Sequence, residues 1–183
     1  MTVDYSVDLS DGVTLRTLTN GDVDALLDAY ARNREHLAVT EPARPETFFT
    51  AAEQRSLIAV KLQELKSGTA FPLVFVAGDA TIIGRLNLTG IVRGAFHSGS
   101  VGYWLDSDHT GRGLASAGLR KLIAHSRDGL GLHRLEAGTL QHNLRSQKVL
   151  QNAGFEPIGI AKQYLKIAGT WQDHLLFQRI LHE

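Results

Sequence analysis

The stretch from Val101 to Ser116 constrains this chain more than any other. An apolar strand, Val101–Leu105, runs through a polar turn into Gly111-Arg112-Gly113, where a helix begins. Glycines allow left-handed backbone and bring the main chain close to a ligand without a Cβ in the way. The first amides of a helix have no partner inside it, and the dipole adds positive potential there. Such a turn is read as a cradle for an anion of the pyrophosphate type.

Spacing excludes two common phosphate-binding patterns. A P-loop requires GxxxxGK followed by Ser or Thr, and a dinucleotide fold requires GxGxxG early in a βαβ unit. Here Ser116 stands in place of the third glycine, and the motif lies deep in the chain.

The 183 residues, 43% hydrophobic, suffice for one domain with a sizeable core, taken as residues 1–183. Lysine plus arginine equals aspartate plus glutamate at 19 each, so no global field favours nucleic acid or an acidic membrane. The absence of cysteine removes disulfides, thiolate catalysis and cysteine–zinc sites. No apolar run approaches the ~20 residues of a membrane helix. Met1–Ser10 carries two aspartates and no signal-like stretch, so a cytoplasmic protein is expected. Eight histidines scatter from His36 to His182 without HExxH spacing, and no metal is expected.

Alternation predicts a strand over Val13–Leu18, and Val23, Leu26, Leu27 and Tyr30 predict a helix over Asp22–Glu35. Glu41–Pro45 is a loop, and a longer helix follows to Ser67-Gly68. Phe71–Ala77 and Thr81–Leu88 flank Gly78-Asp79 as a hairpin, and Gly99–Leu105 is the next strand. The helix after the glycine turn points Leu119, Leu122 and Ile123 inward. His133–Leu140 is a strand, Ser146–Ala153 a short helix capped by Gly154, and Tyr164–Ile167 with Trp171–Ile180 a closing hairpin. The order is that of an α/β protein with a mixed sheet.

Thr110 to Ala115 resembles the [QR]-x-x-G-x-[GA] signature of the GNAT acyl-CoA N-acyltransferases, with Thr110 in the Gln/Arg position. Asn143-Leu144-Arg145-Ser146 … Val149-Leu150 … Gly154-Phe155 resembles the NxxSxxVLxxxGF block of that family's RimJ/RimL branch. Asn33–Leu37, Glu41–Pro45 and Gly169–His174 are similar to further segments of the same branch, so the resemblance spans nearly the whole chain. Thr40 replaces a frequent tryptophan. Leu165 falls where some relatives carry a carboxylate proposed as general base.

The resemblance implies a mostly antiparallel sheet splayed at an acetyl-CoA site, flanked by about four helices. It implies acetyl transfer to a protein N-terminus, plausibly ribosomal, or to a small amine such as an antibiotic, by a monomer or homodimer. A non-catalytic CoA-binding module is the remaining alternative. Tyr103, Trp104 and Leu105 would meet the cofactor through their backbone, and Thr110, Gly111, Arg112, Gly113, Leu114, Ala115 and Ser116 would hold its pyrophosphate, with Arg112 toward phosphate. Asn143 would fix the pantetheine or cap its helix, and Ser146 would serve the departing thiolate as a hydrogen-bond donor or relay. Asn33, Arg34, Glu35 and Glu41 are candidates for gripping the acceptor, and His97 and Asp173 are candidate bases. An α-amine, with a pKa of about 7.7–8.0 against about 10.4 for lysine, needs the weaker base and is the favoured nucleophile.

Overall fold

The computed structural model describes residues 4–182; Met1–Val3 of the Met1–Ser10 stretch lie outside them. Strand β3 (Phe71–Val76) is buried along its whole length and so must be covered on both faces. Its odd residues, Phe71, Leu73 and Phe75, enter one apolar cluster, and Val74 and Val76 enter another. Period-two alternation in a central strand thus divides the core into two layers.

Around β3 lie β1 (Ser6–Asp8), β2 (Thr14–Thr17), β4 (Ile82–Val92), β5 (Ser98–Leu105), β6 (Arg134–Leu140), β7 (Glu156–Ile167) and β8 (Thr170–Ile180). They form one sheet in the order β1-β2-β3-β4-β5-β6-β8-β7. Every pairing is antiparallel except β5 with β6. The helices are α1 (Val23–Arg32), α2 (Arg34–Ala38), α3 (Ala51–Ser67), α4 (Leu114–Asp128) and α5 (Leu144–Asn152). Helices α4 and α5 cover one face through Leu114, Leu119, Leu122 and Leu150; α1 and α3 cover the other through Leu26, Tyr30 and Ile58.

Caps fix the helix limits. The Thr50 hydroxyl accepts from the Glu53 amide at 3.3 Å to start α3, and Gly68, at φ 73°, ends it. In α4, Gly118 lies against β3, where an added Cβ would sit 2.6 Å from the Phe75 ring.

The expected mixed, mostly antiparallel α/β sheet is present, with five α-helices among the described residues where about four were expected. The Asp22–Glu35 helix breaks at Asn33, and α2 is the additional element. One strand was not anticipated and another was read too short. β1 has only three residues, too few for a pattern. β7 begins at Glu156, eight residues before the expected Tyr164, because Pro157 and Gly159 interrupt it and all but two of its residues are exposed. Proline is tolerated on such an edge strand. Among the described residues no helix is long and apolar enough to cross a membrane.

Candidate active site

Parallel strands β5 and β6 pair only at Ser98–Ser100 with Arg134–Glu136. Beyond that point they diverge, and both free halves line a cleft of about 1280 Å³. The Asp106 amide donates to the Ile83 carbonyl at 2.7 Å, which fixes the alternation of β5. The amides of Asp106, Trp104 and Gly102 therefore face β4, and those of Tyr103 and Leu105 face the splay, where β6 no longer pairs with them. Unpaired main-chain donors at a strand separation are binding groups for a carbonyl or an oxyanion.

The glycine turn borders this cleft through Thr110, Gly111 and Ala115. Gly111 and Gly113 have φ of 75° and 77°, and Gly113 is the N-cap of α4. None of the amides from Gly111 to Ser116 finds an acceptor among the described residues, the first bond of the helix running from Ala117 to Gly113 at 2.9 Å. Six consecutive free donors on a dipole's positive end make an anion site.

Electrostatics agree. The chain is neutral overall, yet among the described residues the cleft is lined by Arg44, Lys61, Arg85, Arg145 and Lys148 and by a single carboxylate, Glu41. A concentrated positive lining in a neutral protein selects an anionic ligand locally.

Also on the lining, α5 opens with Asn143, whose side-chain oxygen accepts from the Ser146 amide at 3.1 Å. Ser146 Oγ is 2.9 Å from Tyr103 Oη, which also donates to the Ser146 carbonyl at 3.2 Å. Burial pushes the Tyr103 hydroxyl up to about 12, with the Ser146 bond drawing it down slightly. It is a proton donor, never a base, at neutral pH.

Residues 13–156 match the acetyltransferase (GNAT) domain family. The chain belongs to the GNAT acetyltransferases. It is 34% identical over 168 residues to the [ribosomal protein uS5]-alanine N-acetyltransferase of Escherichia coli, covering 91% of this chain and 87% of the other. The ribosomal-protein-S5-alanine acetyltransferase of Vibrio fischeri superposes with a TM-score of 0.94 at 34% identity, over 98% of both chains. RimJ of Mycobacterium smegmatis, in complex with CoA-disulfide, gives 0.89 at 29% identity, over 97% of this chain and 86% of that one.

In this acetyltransferase, Tyr103, Trp104, Leu105, Thr110, Gly111, Ala115, Asn143 and Ser146 all line the cleft. Gly113 and Ser116 contribute free amides beside it, and so does Leu114, whose side chain belongs to the core. Arg112 does not turn to the cleft but pairs at 3.1 Å with Asp11 on the surface.

The acceptor-side expectations need correction. Asn33 is 1% exposed, its amide spent on the Ala29 carbonyl and the Ser107 amide at 2.9 and 3.0 Å. It ties α1 to the exit of β5 and cannot grip a substrate. Arg34 pairs with Glu46 and lies 4.4 Å over Phe49, away from the cleft. Glu35 is exposed and outside the lining. Glu41 does line it, 3.2 Å from Arg44, with its carbonyl accepting from Ala168 at the tip of the β7–β8 hairpin. Thr40 and Leu165 lie on the same lining.

Neither candidate base is in place. His97 stands at the head of β5, where its carbonyl accepts from His133 and Arg134. Asp173 is held at 2.7 Å by Lys162 and at 2.9 Å by the Gln163 amide, bonds that keep its carboxyl below the ordinary range. Two residues were overlooked as side chains: Tyr103, read only for its backbone, and His174. The signal for His174 was present. Phe177 and Leu175 alternate into the core beneath α4 and α5, so His174 must face the other way.

Proposed function

We propose that this acetyltransferase moves acetyl from acetyl-CoA to the N-terminal α-amine of a protein, a ribosomal protein first, by direct attack within a ternary complex. The observation that carries the reading is the splay itself: free amides of Tyr103 and Leu105 between a free amide row at Gly111–Ser116 and the Tyr103–Ser146 hydroxyl pair. The S5-alanine acetyltransferases among its relatives support the protein acceptor.

When bound, acetyl-CoA supplies an activated thioester carbonyl. The Gly111–Ser116 amides hold its pyrophosphate, assisted by the basic lining. A splay-facing amide of β5 receives the developing oxyanion. Ser146 donates a hydrogen bond toward the departing sulfur when the single Tyr103 proton turns from the Ser146 carbonyl to its Oγ. A serine hydroxyl is a weaker acid than a thiol, so the pair relays a proton taken from the amine rather than giving up its own. Asn143 is the cap that aims the first turn of α5 at this point. An acceptor on the ribosome places the enzyme in the cytoplasm.

The acceptor half is lined by Tyr30, Phe48, Ile58 and Trp104, with Thr40 a small residue on its rim. That opening keeps a small amine as the second reading. The test is acetyl transfer, followed by mass spectrometry, across N-terminal peptides of ribosomal proteins and a panel of small amines. Acetylated peptide α-amines with untouched small amines support the proposal, and the reverse pattern installs the second reading. CoA binding without transfer to either set marks a binding module.

A further inference from the structure

The two faces of the splayed sheet carry different chemistry. Val101, Leu105, Leu135, Ala137 and Phe177 pack into the cluster beneath α4 and α5, and Tyr103 packs against it. Ser146 meets Tyr103 on that side. Trp104 faces the opposite cluster with Tyr30 and Phe48. By the same alternation Gly138 on β6 and His174 on β8 face this second side, together with Tyr164 of β7. The relay for the leaving sulfur is thus on one face, and the acceptor half opens on the other.

His174 is 3% exposed and lines the cleft. Its Nδ1 is 3.1 Å from the Gln172 carbonyl oxygen. A carbonyl only accepts, so Nδ1 carries a proton, and in the neutral ring the lone pair is then on Nε2. Nε2 has no hydrogen-bond partner among the described residues, and it is not one of the unpartnered polar atoms sealed from solvent. Gly138 lies against the ring's neighbourhood: a Cβ there would stand 3.3 Å from Leu176 Cδ2, 3.5 Å from Tyr164 Cε1 and 3.7 Å from His174 Cδ2, the carbon bonded to Nε2. The titratable groups around the ring are Tyr164, 5.5 Å between centroids, and Asp173, already committed to Lys162. Across the cleft the single lining carboxylate, Glu41, is engaged by Arg44.

We infer that His174 is the proton acceptor for the incoming amine, acting directly or through one water, an inference that rests on the acetyl-transfer reading above. The acceptor ammonium gives one proton to Nε2, and the neutral nitrogen then attacks the thioester carbon. As the C–N bond forms and the C–S bond breaks, the second nitrogen proton passes to the sulfur, whose developing charge accepts a hydrogen bond from Ser146. The imidazolium releases its proton to water. The products are the acetyl amide, the free thiol and one proton.

The test compares wild type with His174→Asn, whose amide can still donate to the Gln172 carbonyl, and with His174→Gln. At saturating acceptor and acetyl-CoA, wild-type kcat is expected to reach a plateau as pH rises. Either variant is expected to lose about 100-fold in kcat near pH 7. Its rate should keep climbing with pH, because the acceptor must then supply its own neutral amine. CoA affinity and melting temperature stay at wild-type values. In the free protein, 15N NMR of His174 should show the Nδ1–H tautomer, a readout independent of turnover. A variant that keeps the wild-type rate and plateau overturns the inference and leaves the acetyl-transfer reading standing, as does an Nε2–H tautomer. A wild type that acetylates no peptide or small amine overturns that reading and the inference with it.

Discussion

Tyr103 Oη lies 2.9 Å from Ser146 Oγ, a bond that joins β5 to the first turn of α5 across the mouth of the splay. The two residues are 43 positions apart in sequence. Each hydroxyl can donate and accept, so one chain runs from Tyr103 through Ser146 into the cleft.

If that chain serves the leaving group, its members act as a unit. Ser146→Ala is expected to lower kcat about 100-fold and Tyr103→Phe about 10-fold, the range of one hydrogen bond to a charged group. The double variant should fall little below Ser146→Ala alone. Steady-state kinetics with an acetylated peptide product decide this, and fully additive losses would refute a shared relay. The KM for acetyl-CoA should hardly move in any of the three.

Tyr103 ionises only at about 12. Any decline of wild-type activity on the alkaline side therefore belongs to another group, and Tyr103→Phe should leave its midpoint unchanged. A pH–kcat profile of both proteins gives the answer.

The anion cradle depends on a left-handed residue at Gly113, φ 77°, with open space where a Cβ would go. Alanine meets no clash there but costs about 1–2 kcal/mol of backbone strain. Relaxing that strain turns the free amides away from their common direction. Gly113→Ala should weaken CoA binding about tenfold, converted from that strain, while calorimetry shows a folded protein.

Gly118→Ala tests the fold rather than the site. Its Cβ would be 2.6 and 2.7 Å from two Phe75 ring atoms, and Phe75 is fully buried. Overpacking of this kind costs about 2 kcal/mol. Urea denaturation should register the loss, while CoA affinity, which Gly113→Ala weakens, stays at the wild-type value.

Asp22 binds Arg16 through both oxygens, at 2.8 and 2.7 Å, and accepts from the Thr19 amide and hydroxyl at 2.7 and 3.0 Å. Burial alone would raise its pKa, but the hydrogen bonds from Arg16 and Thr19 outweigh that and hold it below the ordinary value. A carboxyl with a depressed folded pKa contributes fully above its unfolded pKa of about 3.9. That contribution disappears as pH falls through the lower folded value. Asp22→Asn should cost about 2 kcal/mol at neutral pH and progressively less in acid. Denaturation midpoints against pH would show the two proteins converging. Asp106, also held below its ordinary range despite burial, by Arg32 and Asn33, remains in both.

What sequence determined by itself was local. Left-handed glycines at 111 and 113, the Asn143 cap and the Thr50–Gly68 limits of α3 all follow from the conformations that individual residues adopt. Alternation in β3 and the 114, 118, 122 spacing of α4 set which residues are buried. Backbone conformation at a turn or cap was legible for the same reason, whereas the direction of the Arg112 side chain within that turn was not.

Only the tertiary structure decided the site. Whether Tyr103 is a backbone contact or a hydroxyl donor depends on where α5 docks, and whether Asp173 or His174 sees the cleft depends on the placement of β8 between β6 and β7. Asn33 carries a polar amide, as a substrate-gripping residue would, yet it is used up inside the fold. Propensity acts over a few residues and is written in the chain. The splay, and the face on which each side chain lies, arise from strand register and helix packing between segments tens of residues apart, and a one-residue change of register would invert them.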